Sequence, residues 1–212
     1  MRLVLTSDTH SPVRPGDIPD GDVFVHAGDL LRTGYVTEWP AALDWLAALP
    51  HKIKLFVPGN HDFHLQVYPG PALQDLRRAG VVVVGLPNNP HYETYLLPNK
   101  MSLLGLPYVT GLPRWAFNTT EVELCAYLKR VGRHDVVISH APVYGILDQV
   151  STVNSGITAY RSYLLEHTPL LWVHGHIHEC YGSALVEGCQ FYNVAMCNRK
   201  YEHANAPVIV DL

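Results

Sequence analysis

Short apolar runs that each end in polar residues recur along the chain: "RLVLTSD" (2–8), "DVFVHAGD" (22–29), "KIKLFVPGN" (52–60), "DVVISH" (135–140) and "LLWVHGHIH" (170–178). Their length and β-branched content predict buried strands rather than helices. Helical spacing appears at 38–49, where Thr37 is expected to cap the N-terminus and Pro40 falls in the first turn. It appears again at 71–80, with Gly80 suited to the position after the last turn, at 120–132 and around 158–166. "VVVVG" (81–85), "ETYLL" (93–97), "MSLLGLP" (101–107), "ALVEGCQFYNVAM" (184–196) and "APVIVDL" (206–212) complete the strands. The stretch 141–157 shows neither period and is expected to be a long loop, a length that is often functional in a compact domain.

Strands alternating with helices predict an α/β protein, and the closely spaced central and C-terminal strands predict antiparallel or mixed pairing there. The expected architecture is a two-sheet β-sandwich flanked by helices, built as one domain over residues 1–212. There is no internal repeat or linker.

Five of the strand ends carry unusual chemistry: Asp8-Thr9-His10, Gly28-Asp29, Gly59-Asn60-His61-Asp62, Ser139-His140 and Gly175-His176-Ile177-His178. Buried polar groups are costly without partners, and carboxyl ends of strands in open α/β sheets are where ligands bind. If the strands run the same way in one sheet, Asp8, His10, Asp29, Asn60, His140, His176 and His178 meet at one edge. Carboxylate, imidazole and amide suit Mn²⁺, with Fe and Zn²⁺ also open. Seven donors exceed one tetrahedral zinc and fit two divalent ions sharing a carboxylate. On a strand, the D-x-H and H-x-H spacings would aim both side chains at one face. Glycines before Asp29, Asn60 and His176 would let backbone pass close to the ions.

The net charge of −4 argues against a basic nucleic-acid coat, so no stable nucleic-acid complex is expected. No apolar run reaches membrane length, the opening is no signal peptide, and four cysteines lack C-x-x-C spacing. These features lead to the expectation of a cytoplasmic protein with reduced thiols and no membrane partner. Monomer and homodimer stay open.

The ordered set D-x-H, GD, GNHD, a lone histidine and GHxH resembles the calcineurin-like metallophosphoesterase superfamily. "SDTHS", "IPDGDVFVHAGDLLRTG", "GHIHECYG" and "NVAMCNRKYEHANAPVIVDL" look like its small metallophosphoesterase-domain subfamily, close to class III cyclic-nucleotide phosphodiesterases. The resemblance implies an αββα fold. It also implies Asp8, His10 and His178 on one ion, Asp29 bridging, and Asn60, His140 and His176 on the other. His61 would meet the phosphate or protonate the leaving oxygen, and Asp62 would orient or charge its imidazole. The implied activity is hydrolysis of small phosphodiesters by metal-activated hydroxide, with cyclic nucleotides as substrates and the strained 2′,3′ isomers favoured over 3′,5′. The alternatives are a phosphomonoesterase or protein phosphatase on the same fold, and a binding or scaffold relative with weak catalysis. Arg32 departs in spacing from the "GDxxDRG" phosphatase pattern, and a scaffold would be expected to lack one of the histidines present here.

Among other residues, His64 is a candidate for touching substrate. His26 and His174 read as core or supporting histidines, while His51, His91, His134, His167 and His203 read as surface or structural. Arg32 could contact a phosphate or simply be solvated. Tyr144 and Tyr160 could stack on a base.

Overall fold

The computed structural model describes residues 1–86 and 93–212, so the reading of His91 falls outside the described residues. The first half runs β1 (Arg2–Thr6), β2 (Val23–His26), α1 (Trp39–Ala48), β3 (Ile53–Phe56), α2 (Phe63–Val67), α3 (Pro69–Arg78) and β4 (Val81–Val83). The middle contains β5 (Thr94–Leu96), β6 (Ser102–Leu106), the short pair β7 (Val109–Thr110) and β8 (Asn118–Thr119), α4 (Glu121–Val131) and β9 (Val136–Ser139). The remainder is β10 (Gln149–Val150), β11 (Val153–Asn154), α5 (Thr158–His167), β12 (Leu171–His174), β13 (Gly182–Val186), β14 (Cys189–Asn193) and β15 (Val208–Asp211).

Two large mixed sheets result. The five-stranded sheet has the order β15-β1-β2-β3-β4, with β1 to β4 parallel and β15 antiparallel at the edge. The six-stranded sheet has the order β13-β14-β12-β9-β6-β5, with a parallel centre and antiparallel strands at both edges.

Alternation along each strand divides the apolar residues into three layers. Leu3, Leu5, Val25 and Leu55 of the first sheet meet Leu103, Ile138 and Val173 of the second. On the outer face of the first sheet, Val4, Phe24 and Phe56 pack on Trp45, Leu46 and Leu76 from the helices. On the outer face of the second, Leu104, Val137, Trp172 and Phe191 pack on Leu124, Tyr160 and Leu164. Both faces of each central strand are covered, which is why these strands read as continuous apolar runs. The order is helix, sheet, sheet, helix, the expected αββα architecture.

Local chemistry accounts for most boundaries. Pro40 sits in the first turn of α1, and Gly80 takes φ +76° just beyond α3. Thr120 and Glu123 form a reciprocal capping box on α4, and Gly132 ends that helix. Lys54, an inward-facing cation on β3, donates to the Leu46 and Leu49 carbonyls at the end of α1.

Three expectations are corrected. Thr37 does not cap α1: it lies inside a 3₁₀ turn, and the N-cap position is Glu38. The Glu38 carboxylate instead accepts from the amides of Arg32, Thr33 and Gly34, tying down the loop that follows Asp29. The stretch 141–157 is not structureless, because β10 and β11 pair within it and Asp148 accepts from the Gly145 and Gly156 amides. Tyr160 is fully buried in the second outer core and is unavailable for stacking on a ligand. Among the described residues, no helix is long and apolar enough to cross a membrane.

Candidate metal centre

All five polar strand ends meet, but they come from two sheets. Asp8, His10, Asp29 and Asn60 follow β1, β2 and β3 of the first sheet, while His140, His176 and His178 follow β9 and β12 of the second. The site therefore lies across the edge of the sandwich, not along one sheet as expected. The strand-face explanation of D-x-H and H-x-H is also corrected. β1 stops at Thr6 and β12 at His174, and the chain then bends, with φ near +50° at Asp8 and His10, +57° at Asp29 and +67° at His176. Left-handed backbone at four non-glycine candidate donor positions is strained, and such strain is typical of functional sites.

The glycines at 59 and 175 make room for donor side chains. A Cβ on Gly59 would enter the Asp29 carboxylate, and one on Gly175 would enter the carboxylate of Asp8.

The donors fall into three overlapping groups: Asp8 with His10 and His178, Asp29 with His140 and His176, and Asp29 with His10 and His61. Asn60 joins the second group, its Oδ1 lying 2.9 Å from His140 Nε2. Asp29 is shared by the second and third groups, and His10 by the first and third. Asp29 Oδ1 lies 3.3 Å from His140 Nε2, and its Oδ2 lies 3.9 Å from His10 Nε2 and 3.8 Å from His61 Nε2. The two carboxylates are themselves oriented: Asp8 Oδ2 accepts from Ser7 Oγ and the His176 amide, and Asp29 Oδ1 accepts from the His61 amide at 2.8 Å.

Hydrogen bonds on the far side of four of the imidazoles decide what faces the centre. Nδ1 of His10 meets the Leu31 carbonyl at 3.2 Å, His178 that of Asn198 at 2.9 Å, His140 that of Ala27 at 3.0 Å, and His61 that of Arg32 at 2.6 Å. A carbonyl can only accept, so Nδ1 carries a proton, and each ring in its neutral form points an Nε2 lone pair inward. His10 Nε2 and His178 Nε2 then face each other at 3.2 Å, and His178 Nε2 faces Asp8 Oδ1 at 3.3 Å. Asp8 Oδ1 is buried and has no hydrogen-bond partner. Converging lone pairs of this kind need a cation among them, so the residues fit divalent metal binding.

The protonation tendencies have the same origin. Burial works against ionised Asp8, yet the facing His178 ring and the field of His140 hold it well below the carboxylate range. Asp29 is likewise buried and held low, chiefly by His140. Burial pushes the His140 ring down, but facing Asp29 outweighs it and brings His140 up to about 9. Burial, aided by His140, takes His176 down to about 4.

Asp62 departs from its expected role. It does not touch the His61 ring, whose Nδ1 is held by the Arg32 carbonyl. Its Oδ2 accepts from the amides of Asp29 and Gly59, and its Oδ1 from those of Leu30 and Leu31. The fully buried carboxyl is a hub joining the loops after β2 and β3. Burial and neighbouring Asp29 push it up to about 7 against those amide donors.

His64 is not brought into the donor cluster: its ring lies 4.9 Å from Trp39 and 5.6 Å from Tyr68. His26 is a buried supporting histidine, as expected, sharing a hydrogen bond with Thr9 Oγ1. Arg32 is exposed, with its guanidinium carbon 5.8 Å from the ring centre of Tyr201. Two aromatic residues that the sequence reading passed over border the cluster: Trp115, 4.4 Å from His61 between ring centres, and Tyr201, 4.6 Å from His10. Their only signal in the sequence is a large ring among turn-forming and charged residues, in "LPRWAF" and "NRKYEH".

Comparison with known proteins agrees with this geometry. The Calcineurin-like phosphoesterase family profile matches residues 1–180, and the chain belongs to that family, a class of metal-dependent phosphoester hydrolases. It is 31% identical to human "Metallophosphoesterase domain-containing protein 1", over 100% of this chain and 71% of that protein. A "Probable rhamnogalacturonate lyase C" of Emericella nidulans is 28% identical over 95% of this chain but only 19% of its own length. Among solved structures, TT1561 of Thermus thermophilus superposes with a TM-score of 0.60 at 12% identity, covering 91% of this chain and 88% of that one, a likeness of fold.

Proposed function

We propose that the protein is a dinuclear phosphodiesterase acting on small phosphodiesters, with cyclic nucleotides as the substrate class and 2′,3′ isomers favoured. The observation that carries this reading is Asp29, whose Oδ1 faces His140 while its Oδ2 faces His10 and His61, so that its carboxylate lies between the two sets of donors. Asp8, His10 and His178 would hold one ion, Asn60, His140 and His176 the other, and Asp29 both. Two bound divalent ions, Mn²⁺ in the first instance, supply Lewis acidity toward the phosphoryl oxygens and a more acidic water.

The chain's own residues do the rest. Carbonyls fix the tautomer and direction of the ligating imidazoles, so the donors are set before substrate arrives. His61 Nε2 stands at the border of the cluster, and its Nδ1–H is committed to Arg32. Protonated at Nε2, it donates a hydrogen bond to a phosphoryl oxygen or a proton to the departing ester oxygen. A five-membered cyclic phosphate is already strained and asks less of that acid than the 3′,5′ ring does. The reading takes residues 1–212 as one domain in the cytoplasm, with a small-molecule substrate.

Side-by-side hydrolysis of 2′,3′-cyclic AMP, 3′,5′-cyclic AMP and a phosphate monoester by Mn²⁺-loaded protein tests it. Faster turnover of the 2′,3′ isomer is expected. Preference for the monoester would overturn the diesterase reading, and equal rates on the two cyclic isomers would overturn the isomer preference.

A further inference from the structure

Two exposed aromatic rings stand at the mouth of the metal centre without a role in any of the three cores. Trp115 is 39% exposed, whereas Trp39, Trp45 and Trp172 are at most 4% exposed. Tyr201 is 41% exposed. Leaving an indole and a phenol in water forgoes the burial that usually places such residues, so their positions call for another reason.

Both rings are held in place by the backbone around them. The Trp115 amide donates to the Leu112 carbonyl, and the next amide, of Ala116, donates to the carbonyl of Asn60. Phe117, one residue further, adopts φ +53°. The indole thus rides on a loop pinned to a metal-ligand residue, 4.4 Å from the His61 ring and 5.9 Å from Phe63. Tyr201 lies in a turn closed by its amide on the Asn198 carbonyl, and that turn also supplies the acceptor for His178 Nδ1. Its own φ of +60° is a strained conformation for a bulky residue. The ring stands 4.6 Å from His10, 5.4 Å from His178 and 6.2 Å from His61, with the Arg32 guanidinium against it.

We propose that Trp115 and Tyr201 form an aromatic rim that selects phosphoesters carrying a planar aromatic group, a nucleobase, by stacking on it beside His61. The inference rests on the phosphodiesterase reading and narrows its substrate. A phosphoryl group held over the donors beside His61 would bring its organic substituent next to these two exposed rings. A π-face accepts any base, so the rim confers preference for nucleotides over base-free esters without choosing among bases. Arg32 adds a cation at the same rim, suited to the face of a base or to an anionic oxygen.

The test compares 2′,3′-cyclic AMP with glycerol 1,2-cyclic phosphate, which has the same five-membered ring and no base, on Mn²⁺-loaded protein. Trp115→Ala is expected to lower the preference for the nucleotide, as the ratio of kcat/KM values, by roughly tenfold through KM, and Trp115→Phe to restore most of it. An equal loss on both esters, or an unchanged ratio, overturns the proposal. A second measurement stands apart from turnover. Trp115 is the exposed tryptophan, so adenosine monophosphate should quench the protein's fluorescence while ribose 5-phosphate does not, and Trp115→Phe should abolish the effect. If neither cyclic ester is hydrolysed but this base-dependent quenching is seen, the diesterase reading fails and the rim stands. Equal quenching by both ligands, or none by either, overturns the rim.

Discussion

Asp62 accepts from four buried backbone amides, so Asp62→Ala should destabilise the fold by at least about 3 kcal/mol, read from denaturant unfolding. The same change would loosen the loops carrying Asp29 and His61 and reduce metal binding as a consequence. His61 gives a contrasting expectation. Its Nδ1 is satisfied by the Arg32 carbonyl, and its Nε2 lies beside His10 and Asp29 within the donor cluster. His61→Ala should retain metal, measured by elemental analysis, and lose on the order of 10²–10⁴ in kcat. Loss of metal in that variant would make His61 a ligand and sink its acid role. Asp29→Asn should lose both metal and rate, because it removes the charge shared by two donor groups. The residue types at these positions were legible in the sequence, but their partners were not. Asp62 follows His61 directly, and adjacency suggested an interaction that the turn prevents by directing the carboxylate to amides from another loop.

The strand-to-loop transitions place the donors, and glycine makes the transitions close enough. Gly175→Ala would put a methyl group into the Asp8 carboxylate, so metal affinity should fall while far-UV circular dichroism stays unchanged. Retained affinity would show that the Asp8 loop yields. By contrast, Thr120→Ala removes the reciprocal cap of α4, remote from the metal ligands, and should cost about 1 kcal/mol of stability. Elements with strong local signals, such as α4 with its terminal glycine, came out of the sequence within a residue or two. The start of α1 also came out within a residue, but its cap did not, because Glu38 is drawn to the loop amides at 32–34 by a contact that local capping rules do not contain.

At the scale of the whole molecule, acid should destabilise the protein through its buried histidines. Burial takes His26 from 6.5 down to about 3 in the folded state, whereas the unfolded chain binds a proton near the ordinary value. The unfolded state takes up that proton first, so His26's contribution is full above about pH 6.5 and is lost as pH falls from there toward 3. Unfolding free energy measured against pH should decline across that window, and less steeply in a His26→Gln variant that still folds. Metal acts in the opposite direction. At a hundred times Kd it should add about 2.7 kcal/mol, seen as a rise in Tm that chelation reverses and Asp29→Asn abolishes.

By itself the sequence determined that this is an α/β protein with five polar strand ends, and it singled out the seven candidate donors that folding brings together, because buried strands and metal chemistry both restrict residue type at fixed spacing. Tertiary structure decided that the donors come from two sheets rather than one, since strand patterns carry no record of which strands pair. It also decided which nitrogen of His10, His61, His140 and His178 faces the centre, because the far-side carbonyls come from distant loops. The same holds for Trp115 and Tyr201: their meaning lies in where folding leaves them, at the border of His61, and no periodicity in the chain records that position.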